Sequence, residues 1–88
     1  MGSAEFLKWA KATVMEYAIR HLDLSDPIAH KPFEVYVVWY SKTLQNHKAL
    51  LSTSLADGMY YEFTYNGNKD EAYLDAYKKW ENKVVRHD

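Results

Sequence analysis

Four histidines, three clustered hydroxyls and a short acidic run are the residues of this 88-residue chain that could do chemistry. His21, His30, His47 and His87 show no H-x-x-x-H pair, and no carboxylate cluster accompanies them, so a zinc site is not expected. Ser52, Thr53 and Ser54 offer hydroxyls, but a hydroxyl nucleophile needs a base in reach, and no G-x-S-x-G frame surrounds them. They read as short polar side chains on a solvated sheet face. Asp70, Glu71 and Asp75 imitate an acid pair but are accounted for by capping and polarity at a helix start. Gly2, Gly58 and Gly67 form no phosphate loop. There is no cysteine, which removes disulfides, thiolate metal sites and cysteine nucleophiles. The expectation is a protein that is not an enzyme and holds no metal or cofactor.

Composition sharpens this. Aromatic residues make up 16% of the chain, and each ring can bury ~150–250 Å², an economical way to fill a small core. The formal net charge is −1, without the basic excess common in proteins that neutralise several phosphates. The first residues lack a secretory signal, Phe6 breaks a myristoylation pattern, and no apolar run nears the ~18 residues of a membrane span. A single domain over residues 1–88 in a bacterial cytoplasm is expected.

The elements that would position these residues can be read from periodicity. Ser3 to Leu24 has a helical stripe of Phe6, Leu7, Ala10, Val14, Tyr17, Ala18 and His21, with Trp9 off it. Pro27 and Pro32 mark Asp23 to Phe33 as a connector. Glu34–Gln45, Lys48–Leu55 and Met59–Tyr65 read as strands, with turns at Asn46-His47 and Ala56-Asp57-Gly58. Those turns pair Leu44 with Ala49, Tyr40 with Thr53, Leu55 with Met59, Thr53 with Tyr61 and Leu51 with Phe63. One face then collects Val38, Tyr40, Leu44, Ala49, Leu51, Leu55, Met59, Tyr61, Phe63 and Tyr65. Asp70 to Arg86 reads as a second helix with a stripe of Tyr73, Ala76, Tyr77, Trp80 and Val84. The predicted fold is an α+β, α-β-β-β-α two-layer sandwich, a three-stranded antiparallel meander with both helices on one face.

That arrangement leaves a second sheet face carrying Val37, Trp39 and Tyr60, with Glu62 and Lys42 nearby. Uncovered aromatic patches mark partner sites, so these five are the expected partner-binding residues, unless the Asp23–Phe33 connector covers them. The Glu34–Gln45 strand is a predicted edge, through which a homodimer could form.

The stretches "VVW", "KTLQNHKALLST" and "LADGMYYEFTYNGNKDEAYLDAYKKWENK", within Val37 to Lys83, resemble a family of small uncharacterised phage and prophage proteins of Gram-positive bacteria. The resemblance implies a phage accessory protein in a bacterial host and no mechanism. The predicted element order is also similar to that of the double-stranded-RNA-binding domain. That domain's lysine cluster opens its second helix, where this chain reads "NKDEAYLD". Nucleic-acid binding through Lys78, Lys79, Lys83 and Arg86, with Lys42 and Lys48, is the rival expectation to protein binding.

Overall fold

The computed structural model describes residues 1–22 and 32–87. Among them the order is α1 (Ser3–Arg20), β1 (Val35–Thr43), β2 (Asn46–Thr53), β3 (Met59–Asn66) and β4 (Glu71–Lys78). The strands form one antiparallel sheet in chain order, with α1 on one face. This replaces the expected three-stranded meander with two helices, and the likeness to the double-stranded-RNA-binding domain goes with it.

Helix α1 forms where its stripe predicts. Phe6, Ala10, Val14 and Ala18 are buried, and Leu7 and Tyr17 pack at their margin. Gly2 holds the N-cap position without a side-chain cap, so Ser3 is the first helical residue rather than the cap. Trp9, off the stripe, still reaches the sheet: its ring meets Phe63 edge-on at 5.0 Å and Tyr65 at 5.7 Å.

The core lies between this stripe and Ala49, Leu51, Tyr61, Phe63 and Tyr65. The odd-numbered rings of β3 therefore point inward as expected, but the pairings differ. Tyr61 faces Leu51 and Phe63 faces Ala49, two residues from the expected register, which keeps every side chain on its face. The connection is Ser54–Gly58, longer than the three residues expected, with Gly58 at φ +69°.

The β1–β2 turn also moves. Its loop residues are Leu44 and Gln45, not Asn46 and His47, so Tyr40 pairs with Ala49. The reason is His47, whose ring is 2% exposed and stacks on Phe6 at 4.9 Å. Burying that ring outweighs the turn preference of Asn-His. Leu44 is left at φ +56° and 81% exposed, out of the core assigned to it. Leu55 is only half-buried.

Strand β1 carries a bulge between Val37 and Trp39. Val38 is the extra residue and is exposed, so its expected core position is also corrected. Before the bulge Val35 and Val37 face the helix, and after it Tyr40 does.

The predicted second helix is strand β4, followed by residues 79–87 with no regular element. Glu, Ala, Leu and Lys favour helix there, but propensity is a weak prior. Pairing decides otherwise: β4 meets β3 along eight residues, from Asn66–Glu71 to Met59–Lys78. The hairpin is closed by Asn66, expected to stop the third strand, and by Asp70, expected to cap a helix. Asn66 Oδ1 accepts from the amides of Asn68 and Lys69 at 3.0 and 3.3 Å. Asp70 adopts φ +52° and accepts the Tyr65 hydroxyl at 2.7 Å. In β4, Ala72 and Leu74 join the core margin, while Tyr73 and Tyr77 turn away from it.

Candidate interaction face

With α1 on one side, the other side of the sheet is uncovered among the described residues. The idea that the Asp23–Phe33 connector covers it falls largely outside those residues. Register places Tyr36, Ser52, Tyr60 and Tyr77 in one row across all four strands. The next row is Trp39, Leu50, Glu62 and Asp75, and beyond it run Ser41, Lys48, Thr64 and Tyr73. Tyr36, Trp39, Tyr73 and Tyr77 are each about half exposed, and Tyr60 and Leu50 less so. Ser52 is buried between the tyrosines of its row and donates to the Met59 carbonyl at 2.8 Å.

Electrostatics on this face are mild. Lys48 Nζ lies 3.3 Å from Glu62 Oε1, a pair worth at most ~1 kcal/mol in solvent. Glu62 stands opposite Asp75, and Lys48 offsets that like-charge contact. Tyr73 donates its hydroxyl to Glu71, which raises the phenol pKa chiefly through that hydrogen bond.

Of the five expected contact residues, the sheet brings Trp39, Tyr60 and Glu62 together on the open face. Val37 lies on the helix side opposite Leu51 because the bulge resets the alternation of β1, and Lys42, two residues on from Tyr40, is opposite His47 on that same side by plain alternation. Tyr36, Leu50, Tyr73 and Tyr77 were missed. For Tyr73 and Tyr77 the signal was the alternation in "EAYLDAYK", which fits a strand as well as a helix. The β1 edge is as expected, but the bulge and the exposed Lys42 blunt it.

Several of the chemical candidates make structural contacts. Ser54 Oγ accepts the Glu34 amide at 2.9 Å and Thr53 Oγ1 the Leu55 amide at 3.2 Å. His21 donates Nδ1–H to the Tyr17 carbonyl at 2.8 Å and stacks on that ring at 4.0 Å. His47 sits beside Tyr40, whose hydroxyl lies 2.6 Å from Nδ1 and donates to Ser3 Oγ at 3.0 Å. Burial, then Lys42, pushes the His47 pKa down, so the imidazole is held neutral. His30 lies outside the described residues, and His87 is exposed. A cleft of about 280 Å³ by the end of α1 brings His21, Asp57, Tyr61 and Lys78 together, and among the described residues no serine, threonine or cysteine lines it. No group of three metal-ligating side chains occurs among the described residues. No helix among them is long and apolar enough to cross a membrane.

A family model matches residues 7–87, and its description is a family of unknown function (DUF6275). No curated protein and no solved structure matches the chain.

Proposed function

Because the chain belongs to DUF6275, a family of unknown function, we propose its role from the sheet itself: a non-enzymatic module that binds another protein on the face opposite α1. The observation that carries this is the aromatic surface of Tyr36, Trp39, Tyr60, Tyr73 and Tyr77 on a rigid four-stranded platform. Trp and Tyr are the commonest interface anchors, because a ring gives large contact area at low entropic cost. Val37, Trp39, Tyr60, Glu62 and Lys42 were the expected contacts; Trp39, Tyr60 and Glu62 remain the central ones, joined by Leu50 and Tyr77. The phage and Gram-positive resemblance supports an accessory role in a bacterial cytoplasm.

The rival is nucleic-acid binding, which the same rings favour, since bases stack on exposed aromatics. Charge argues against it. Lys48 on this face is paired with Glu62, and Asp75 and Glu71 lie beside the rings. Capture on immobilised protein from bacterial lysate, with and without nuclease, separates the two. A stoichiometric protein partner that survives nuclease supports the proposal. Recovery that disappears with nuclease supports the rival.

A further inference from the structure

Beyond β4 the strand pairing ends. Lys79 donates to the Gly58 carbonyl at 2.7 Å, and among the described residues no further backbone hydrogen bond is made by 80–87. Those residues are exposed throughout, with Trp80 at 96%, Val84 at 81% and Val85 at 88%. A tryptophan and two valines held in water on an unpaired segment are unfavourable for a lone chain. Among the described residues the edge of β4 away from β3 is free as well.

We propose that residues 80–87 are an exchanged arm: in a two-fold dimer each arm adds as a strand to the free edge of β4 in a second copy of this chain. A two-fold axis normal to the sheet makes the strands antiparallel and keeps each copy's faces on the same sides. Odd residues must then oppose odd ones. Centred on Lys79, this register sets Leu74 opposite Val84 on the helix side. On the open side it sets Asp75 opposite Lys83 and Tyr73 opposite Val85. In these three pairs apolar meets apolar and acid meets base, while Lys79 faces its own copy at the axis. The neighbouring registers lose this: a shift one way sets Asp75 against Glu81, and the other way against Val85. Neither Asp75 nor Lys83 has an ion-pair partner among the described residues. Strand addition of this kind draws its affinity from main-chain hydrogen bonds and its register from side chains. The bulged β1 edge lacks that complementarity, so self-association is assigned to β4. This goes beyond the proposed function, because it concerns an edge and not the open face.

The test is sedimentation equilibrium of the full chain, with charge exchange across the pair. The wild type is expected at twice the 10.4 kDa chain mass. Lys83→Asp sets acid against acid twice per dimer and should weaken association roughly tenfold, and Asp75→Lys with Lys83→Asp should restore most of it. Asp75 is exposed and its own neighbour is Glu62, so the substitution leaves the core intact. Amides of 80–87 should also gain exchange protection as concentration rises. A single-chain mass at about 100 µM, well above the dissociation constants of stable dimers, overturns the proposal. So does a dimer indifferent to both charge variants.

Discussion

Trp39 stands opposite Leu50 across the β1–β2 pair, one residue past a bulge, with its ring on the face that α1 does not cover. The bulge makes this placement compatible with Val35 and Val37 packing inward on the same strand. Removing Val38 would leave Val37, Trp39 and Tyr40 alternating without interruption. Deletion of Val38 should therefore cost less than about 2 kcal/mol and leave Trp39 on the open face, while flattening the β1 edge. Chemical denaturation checks the first point and light scattering the second, where rising aggregation is expected.

Leu44 occupies the first loop position of the β1–β2 turn at φ +56°, a conformation in which a leucine is strained. Its side chain is 81% exposed and contributes little packing. Leu44→Gly should raise stability by about 0.5–1 kcal/mol, read as a higher denaturant midpoint with unchanged slope.

Gly67 closes the opposite side of the same corner. Its amide donates to Asn46 Oδ1 at 2.9 Å, and a Cβ placed there would overlap the Gln45 carbonyl. Both groups are backbone-tied, so neither can move aside cheaply. Gly67→Ala should cost about 1–3 kcal/mol by denaturant unfolding.

His47 predicts a pH dependence with a definite sign. Its folded pKa lies below the ordinary 6.5 because the buried ring resists charging, with Lys42 adding to the effect. The unfolded chain then binds more protons between the folded pKa and 6.5. Stability is full above that window and falls as pH drops through it. Thermal unfolding followed from pH 7.5 downward, a range fixed by the ordinary histidine pKa of about 6.5, should show a falling Tm. His47→Phe, which keeps the ring against Phe6, should flatten that slope.

Phe63 lies at the junction of helix and sheet, within 5.7 Å of Phe6 and 5.0 Å of Trp9, ring centre to ring centre. Phe63→Ala should cost about 3–5 kcal/mol, enough to abolish cooperative unfolding in so small a domain.

The sequence declares some of this and hides the rest for physical reasons. The α1 stripe and the inward rings of β3 are legible because burial there follows one period, 3.6 or 2, without interruption. The face of Tyr61 survives a two-residue error in pairing, since parity alone decides it. The bulge at Val38 is invisible, because one extra β-branched residue in "VYVVWY" breaks no compositional rule. Strand β4 is masked by letters that favour helix, and only β3 alongside it settles the matter. Trp39, Tyr60 and Glu62 therefore lie on the sheet face expected of them, while the bulge turns Val37 to the helix side and alternation from Tyr40 puts Lys42 there. Tyr73 and Tyr77 were assigned to a helix that does not form.

The open aromatic face as a protein-binding surface is tested most directly by Trp39→Ala, measured for both partner binding and unfolding free energy. An exposed anchor predicts binding weakened by about 2 kcal/mol or more, with stability changed by less than about 1 kcal/mol. Undiminished binding, or a chain that no longer folds, would contradict it.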